Sequence, residues 1–427
     1  MPPLPRTILP DLVRASQGRE PVLVLTGARQ TGKTTLAAVQ LPAFLEQPFA
    51  YVSFDDPDER HRFGEHGVAL LEGFTAPLVV LDEVQKMPAL FEPLKLVVDR
   101  RQLAAKPGGP TFLLTGSSQV LLMKGVRETL AGRVALFNLD PFSLAEVAGS
   151  PEKPLLTALW AGEADLKEWA FRSARLAPDR RRQLLAIRDR HRELGGYPPV
   201  WQREDPADCL RWLRNYRATY LERDLADVGQ VANLVTFARA QKLLAARTAQ
   251  LLAVSDLARD LGLAANTVKR YLDLLAMTFQ CTLLPPFFRN VGKRLVKTPK
   301  LYWNDTGLCR AILGDMALTA GAAYETWVLG ELRKATIRFP LPPEICFYRT
   351  SAGMEVDVLL AGGGRLLPME VKAGATVTAA DARSVEQFMR EHPEEAGIGL
   401  VIYPGKEMRQ LRPGIWAVPD WLLFAGV

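Results

Sequence analysis

The residues best suited to chemistry stand early in the chain. "GARQTGKTT" fits G-x-x-x-x-G-K-[ST] at every fixed position, through Gly27, Gly32, Lys33 and Thr34. Glycine permits turn geometries that a Cβ would block. The N–H groups of Gly27, Ala28, Arg29, Gln30, Thr31, Gly32 and onward to Thr35 can therefore face a phosphate chain. Lys33 would reach the β- and γ-phosphates as a cation, and the Thr34 hydroxyl would take one Mg2+ position. The N-terminal end of the following helix adds positive potential there. This pattern predicts nucleotide binding.

A second group supplies what hydrolysis needs. "PLVVLDEVQKMP" runs through four apolar residues, Leu78 to Leu81, into Asp82 and Glu83. A parallel strand buried on both faces reads this way, with function at its C-terminal end. Asp82 would hold Mg2+ through water while Glu83 polarises the attacking water. "TFLLTGSS" ends in Ser117 and Ser118, either of which could touch the γ-phosphate from a neighbouring strand. In "VRETLAGRVALFNLDPFS", Arg133 sits in an Ala-Gly-Arg turn. It could complete the site in cis or reach a neighbouring subunit, stabilising charge on the transferred phosphoryl group; Arg127 is the weaker candidate. Together these motifs predict a chain that binds and hydrolyses ATP with Mg2+.

A third constellation lies near the C-terminus. "MEVDVLL" and "RLLPMEVKAG" read as strands carrying Asp357 on one, and Glu370 and Lys372 on the other. Period-two alternation puts Glu370 and Lys372 on one face. An aspartate beside an E-x-K strand is the constellation of metal-dependent nucleases. Asp357 and Glu370 would ligate Mg2+, the Val371 carbonyl could add a ligand, and Lys372 would orient or activate water. Glu325, on the amphipathic helix "AAYETWVLGELRKA", could supply a further carboxylate. The alternative is a surface ion-pair cluster at a sheet edge, and catalytic competence is a separate question from fold.

The elements that must position these groups follow from periodicity. "PVLVLT", "YVSFDDPD", "PLVVLD" and "TFLLT" read as strands alternating with helices between about 18 and 145, hence a parallel α/β sheet. Asp55 and Asp56 end the second of these, with no assigned role. The pattern changes near Pro141. From about 150 to 235 it is mostly helical, and the arginine run of "RSARLAPDRRRQLLAIRDRHREL" reads as a solvated helix face. "LGGYPP" is a loop signal, and "YRATYLERDLADVG" continues as helix. Between about 238 and 302, "SDLARDLGL", capped by Ser255, and "AANTVKRYLDLLAMT", beginning near Asn266, fit a helix-turn-helix around Gly262. "CTLLPPFFRNVGKRLVKTPKLYW" then reads as two strands around a basic loop with Arg289, Lys293, Arg294 and Lys297, completing a winged-helix plan. Thr267, Lys269 and Arg270 would start the recognition helix and contact DNA. Winged helices also serve as protein-packing modules, and that reading stays open.

Length and composition set the frame. With 427 residues the chain should form two or three domains. The balance of 53 basic against 47 acidic residues, net +6, permits nucleic-acid binding without demanding it. Cys209, Cys281, Cys309 and Cys346 lie far apart without C-x-x-C spacing, which argues against a zinc site or disulfide framework. There is no signal-peptide core and no span of roughly 18 apolar residues. The expectation is a cytoplasmic protein without a membrane partner.

These motifs, in this order, resemble a group of prokaryotic AAA+-type P-loop ATPases. Its members carry a C-terminal domain of unknown function with a winged helix and a fold similar to PD-(D/E)XK nucleases. The matching stretches are "GARQTGKTT", "VVLDEVQ", "LLTGSS" and "LAGR", then "GGYPP", "YLERDL", "YWNDTGL", "YETWVLGEL" and "EVDVLL…MEVK". The expected fold class is α/β. A P-loop NTPase parallel sheet (1–145) precedes a helical lid or linker (146–237), a winged helix (238–315) and a PD-(D/E)XK-like α/β domain (316–427). The resemblance implies ATP and Mg2+ binding at Gly32, Lys33, Thr34, Asp82 and Glu83, sensing at Ser117 or Ser118, and a candidate arginine finger at Arg133. It also implies a nuclease-like pocket at Glu325, Asp357, Glu370 and Lys372. The function expected is an oligomeric, Mg2+-dependent ATPase that remodels DNA, with branched or junction DNA as one substrate. The rivals are an ATP-regulated nuclease and a nucleotide switch that binds a protein partner in signalling or defence. A transcription regulator is the weaker option, since it would have little use for Glu83.

Overall fold

The computed structural model describes residues 3–18, 20–103, 109–149, 153–228, 233–288, 298–339 and 341–426, with backbone alone at 119–120 and 220–228. The chain divides into two compact units, Met1–Pro141 with Tyr220–Ala232, and Phe142–Thr219 with Asn233–Val427.

The first unit is built on five parallel strands, β1 (Val22–Thr26), β2 (Phe49–Ser53), β3 (Leu78–Asp82), β4 (Thr111–Thr115) and β5 (Val134–Asn138), ordered β2-β3-β4-β1-β5. The three central strands are buried along their whole length. Their apolar runs divide between two cores, as helices on both faces of a parallel sheet require. Val22, Val24, Val79, Leu81, Phe112 and Leu114 pack with Phe63, Leu71, Leu94 and Leu122 from the helices Pro57–Glu72, Phe91–Leu103 and Gln119–Thr129. Leu23, Leu25, Val80 and Leu113 pack with Leu9, Leu12, Leu36 and Leu41 on the other face. β5 is a strand the sequence pattern did not reveal. It lies at the sheet edge, Leu136 is exposed, and its residues are only partly covered, so no continuous apolar run announces it.

The second unit holds two sheets. A six-stranded mixed sheet comprises β9 (Glu344–Arg349), β10 (Glu355–Gly362), β11 (Arg365–Val371), β12 (Gly399–Tyr403), β13 (Arg409–Arg412) and β14 (Ile415–Pro419) in the order β13-β14-β12-β11-β10-β9. β9, β10 and β11 form an antiparallel meander, and β11, β12 and β14 run parallel. A smaller antiparallel sheet, β6 (Gln250–Leu251), β8 (Lys300–Trp303) and β7 (Cys281–Leu284), stands beside the helices Leu234–Ala246, Val254–Leu261 and Ala265–Met277. Leu257, Val268, Tyr271, Leu272 and Leu275 are buried among these elements and form the helix-turn-helix core. Ser255 does not cap the first of its two helices. The N-cap position is Ala253, without a side-chain bond, and Ser255 lies inside the first turn.

The arginine-rich helix, Pro178–Leu194, departs from a solvated face in one respect. Arg188 is buried and bonds Asp420 Oδ1 at 2.7 Å, and Tyr324 donates to Asp420 Oδ2 at 3.0 Å. One turn later His191 accepts from Trp327 Nε1 at 2.9 Å and its other nitrogen meets the Phe142 carbonyl at 2.8 Å. Burial, with the Lys334 charge, holds this imidazole neutral against the pull of Glu331. A periodic run of arginines cannot disclose this, because the partners Asp420, Trp327 and Phe142 lie 232, 136 and 49 residues away. These bonds fix the helix Ala320–Thr336, which carries Glu325.

The four cysteines are free and buried. Among the described residues no helix is long and apolar enough to cross a membrane.

Candidate functional site

The loop after β1 is shaped by its glycines. Gly27 has φ 141, and a Cβ there would fall 2.3 Å from the Leu139 carbonyl oxygen. Gly32, at φ 93, precedes the helical turn Lys33–Thr35. Gln30 takes a left-handed φ of 62 without glycine's freedom, a strain of order 1 kcal/mol that concentrates at functional loops. The Thr31 hydroxyl bonds the Ala28 carbonyl at 2.9 Å, and Arg6 ties the loop to the strand beyond it, donating to Thr31 O at 2.7 Å and Asp140 O at 2.5 Å. Lys33 is buried and its ammonium lies on the carbonyls of Gly27 (3.0 Å) and Ala28 (2.9 Å).

Asp82, at the end of β3, is the hub. Its Oδ2 accepts from Thr34 Oγ1 at 3.0 Å and from the Tyr51 phenol at 2.8 Å. Its Oδ1 accepts from the Thr115 hydroxyl and, at 3.1 Å, from Glu83 N. Burial and the adjacent Asp82 push the Tyr51 phenol up to about 12, so it remains a donor. Glu83 follows in a left-handed turn, φ 57. Its Oε2 accepts from Ser117 Oγ at 2.7 Å, from Ser117 N at 3.3 Å and from Gln85. Ser118 is buried at the N-cap position of the next helix. The loop, Lys33, Thr34, Asp82, Glu83 and Ser117 thus share one end of the sheet.

Arg133 is elsewhere. It precedes β5, whose first residue, Val134, pairs with Val22, whereas Asn138 pairs with Thr26 just before the loop. Five strand residues at roughly 3.3 Å each place Arg133 about 16 Å from the loop, at the opposite end of the strands. There its guanidinium grips Asp99 with two bonds, 2.5 and 3.0 Å. The Arg133 hydrogen bond holds the Asp99 carboxyl below its ordinary range. Arg133 therefore has no path to its own chain's loop.

Asp55 pairs with Lys86, and Asp56 caps the helix Pro57–Glu72 through Asp58 N at 2.9 Å, which gives both acids local structural work. Sequence reasoning missed Tyr51, Thr115, Gln85 and Arg6. Thr115 was findable: Leu81 pairs with Leu114, so the polar residue closing "TFLLT" falls beside Asp82. Nothing local marks Tyr51 or Arg6.

The second constellation also assembles. Glu325 comes from helix Ala320–Thr336, Asp357 from β10, Glu370 from β11, and Lys372 lies just past it. A register shift between Val356 and Leu359 puts Asp357 at a β-bulge, a device that re-aims side chains. Asp357 Oδ2 accepts from Val371 N at 2.9 Å. Glu370 accepts from Lys372 Nζ at 2.7 Å and from Ser384 Oγ at 2.8 Å. Lys300 and Tyr302, alternate residues of β8, enter the same pocket. Tyr302 donates to Glu325, and Lys300 Nζ lies 3.2 Å from Glu325 and 2.5 Å from Glu355. Burial, with Glu370 and Glu325 nearby, drives the Asp357 carboxyl up to about 8. Burial also raises Glu370, against the pull of Lys372. For Lys300, burial opposes the ammonium, but Glu325, Glu355 and Asp357 outweigh it and the group is raised. Lys300, Tyr302, Glu355 and Ser384 are additions to the sequence reading. The i, i+2 spacing of Lys300 with Tyr302, and of Glu355 with Asp357, is the signal that could have found them.

In the helix-turn-helix, Gly262 makes the turn at φ 66 and helix Ala265–Met277 follows. Lys269 and Arg270 are exposed and Thr267 is half-buried. Arg289, Lys293, Arg294 and Lys297 lie outside the described residues.

Comparison with known proteins agrees with this layout. Residues 19–148 match the AAA domain family. Residues 188–319 match a domain of unknown function, DUF8612, and 320–423 another, DUF4143. Solved structures that the chain matches include a variant of RuvB from Thermotoga maritima, at 16% identity and TM-score 0.30, covering 65% of this chain and 87% of that one. The ORC1 protein of Aeropyrum pernix in complex with DNA is similar at 16% identity and TM-score 0.24, covering 72% and 91%. Scores this low carry no functional argument. Much nearer are the uncharacterized proteins Rv2008c of Mycobacterium tuberculosis and Mb2031c of Mycobacterium bovis, each 32% identical over 424 residues, 97% of this chain and 83% of theirs. A phosphate loop, an acidic pair and a parallel five-stranded sheet within the AAA match, together with identity over nearly the full length, lead to one assignment: the chain belongs to the family of these mycobacterial proteins, as an AAA-type ATPase with a C-terminal domain of the DUF4143 kind.

Proposed function

We propose that this chain is a Mg2+-dependent ATPase that acts on DNA as an oligomer. The residues fit a magnesium ion: a threonine hydroxyl and a carboxylate are hard oxygen ligands, and the described partners of Asp82 are hydroxyls and an amide rather than cations. Thr34 and Asp82 would hold it, and when bound it neutralises charge on the β- and γ-phosphates. Lys33 would exchange its two loop carbonyls for phosphate oxygens. Glu83, steadied by Ser117, would polarise the attacking water. Ser117 or Ser118 would sense the γ-phosphate. Arg133 would act in trans, since it stands at the end of the sheet remote from its own loop.

The observation that supports DNA as the target is the helix Ala265–Met277. It buries Val268, Tyr271, Leu272 and Leu275 while leaving Lys269 and Arg270 exposed near its start. That is where recognition helices meet the duplex, and Thr267, Lys269 and Arg270 would make the contacts. The basic residues Lys293, Arg294 and Lys297, outside the described residues, would add phosphate contacts.

The test is steady-state ATP hydrolysis by wild type and Lys33→Ala with duplex, single-stranded and four-way-junction DNA, each reaction also run on a gel. Stimulation by one form, weakened by Lys269→Glu with Arg270→Glu, is the expected result. Indifference to every DNA overturns this reading in favour of a nucleotide switch with a protein partner.

A further inference from the structure

The carboxylate pocket of the second unit holds a cation of its own. We propose that Lys300 is the resident cation of this pocket and that the pocket takes no divalent metal, so the C-terminal domain does not cut phosphodiesters by metal catalysis. The inference concerns the pocket alone and stands whether or not DNA drives the ATPase.

Each carboxylate is already engaged. Glu325 accepts from Tyr302 and from Lys300 at 3.2 Å. Glu355 takes the same ammonium at 2.5 Å and meets Arg349 at 3.4 Å. Glu370 accepts from Lys372 and Ser384, and Asp357 from Val371 N. A metal in such a site would need oxygens from Glu325, Asp357 and Glu370 free to turn toward one point. Here they are held by donors on β8, on the backbone of β11, just past β11 and on the helix Arg383–Glu391. Among the described residues, no three His, Cys, Asp or Glu side chains are placed to hold a metal ion.

Lys300 is also hard to displace. Its side chain is 5% exposed, and its ammonium lies 5.4 Å from the centroid of the Phe347 ring. It projects from β8, which pairs with β6 and β7 on its two sides. Admitting a metal would take the carboxylates of Glu325 and Glu355 from a buried ammonium, and leaving a buried charge without its partner is strongly unfavourable. A flexible surface lysine could swing away into water, but Lys300 has no such route. The ammonium and a divalent ion therefore compete for one place, and the covalently tethered one holds it.

The experiment is a Mn2+ titration of the nucleotide-free full chain, followed by the electron paramagnetic resonance signal of free Mn2+. An Asp82→Asn background throughout removes the phosphate-loop carboxylate from the count. With Lys300 in place, the signal should match buffer into the millimolar range. Lys300→Met should gain one bound ion per chain, and adding Glu370→Gln should remove it. A bound ion in the Lys300 protein that Glu370→Gln abolishes overturns the proposal. So does metal-dependent DNA cleavage by wild type that Lys372→Ala abolishes, and so does a folded Lys300→Met that gains no ion. Should Lys300→Met fail to fold, the comparison of the Lys300 protein with and without Glu370→Gln still decides.

Discussion

Two regions of this chain gather carboxylates at the ends of strands, and they differ in who answers the charge. Around Asp82 the described donors are neutral: the hydroxyls of Thr34, Thr115 and Tyr51 and the amide of Glu83. Neutral dipoles orient a carboxylate without cancelling it, so its charge stays uncompensated by these donors. Around Glu325, Glu355 and Glu370 the partners include the ammoniums of Lys300 and Lys372. There the compensation is built in. The same side-chain chemistry gives an uncompensated carboxylate, the one proposed to hold Mg2+, in one unit and a self-neutralised pocket in the other. Acidic residues at suggestive spacing do not separate the two cases, but the charge of their partners does.

The comparison can be broken most sharply at Glu83. If it polarises the attacking water, Glu83→Gln should lower ATP turnover by roughly 10²–10⁴-fold, the range for a general base, while nucleotide binding measured by fluorescence persists. Parallel loss of binding would show that Glu83 shapes the site instead. Next in size is Arg133→Ala, expected to cost on the order of 10²–10³-fold in turnover, as for removal of a transition-state donor. Mixing Arg133→Ala with Lys33→Ala should restore part of the rate, because each protein supplies what the other lacks. No recovery on mixing would argue against action between subunits.

Smaller effects sharpen the contrast between the partners. Tyr51→Phe removes one of two donors to Asp82 Oδ2. A hydrogen bond to a charged group is worth about 1.5–3 kcal/mol, and Thr34 still holds that oxygen, so the apparent affinity for Mg2+ should fall by about tenfold or less. An unchanged Mg2+ dependence would mean the phenol is only packing.

The last effect concerns pH. Asp357 is raised from 3.8 to about 8 in the fold by burial, with Glu370 and Glu325 adding repulsion and Lys300 opposing; Glu355 and Lys372 complete the charged surroundings. The folded chain thus keeps a proton that the unfolded chain has lost, and stability falls as pH rises between those two values. It is full below the lower value and lost by the upper one. Asp357→Asn should flatten that slope in urea unfolding measured across this pH window. An identical slope in both proteins would exclude Asp357 as its source.

Much of the nucleotide site was legible because its parts are local. The order strand, glycine loop, Lys-Thr is written in ten consecutive residues, and the buried runs of β1, β3 and β4 announce central parallel strands. The edge strand β5 was not legible, since a partly exposed strand carries no continuous apolar run. Nor was the inward turn of Arg188, whose partner Asp420 is 232 residues away. Ser255 failed as a helix cap by two residues, the N-cap position being Ala253.

By itself, the sequence determined which groups exist and on which elements they ride: a phosphate loop, an acid pair at a strand end, an E-x-K strand and a helix-turn-helix with basic residues at its start. Periodicity fixes the face a side chain takes, because it depends only on neighbours along the chain. The tertiary structure decided which groups meet. It brought Tyr51 and Thr115 to Asp82, carried Arg133 to the far end of its own sheet, and set Lys300 among the glutamates. Those outcomes depend on strand order and on contacts across long stretches of chain, which no local pattern encodes. They also set the electrostatics, because a carboxylate's readiness for a metal is fixed by the charge beside it in space.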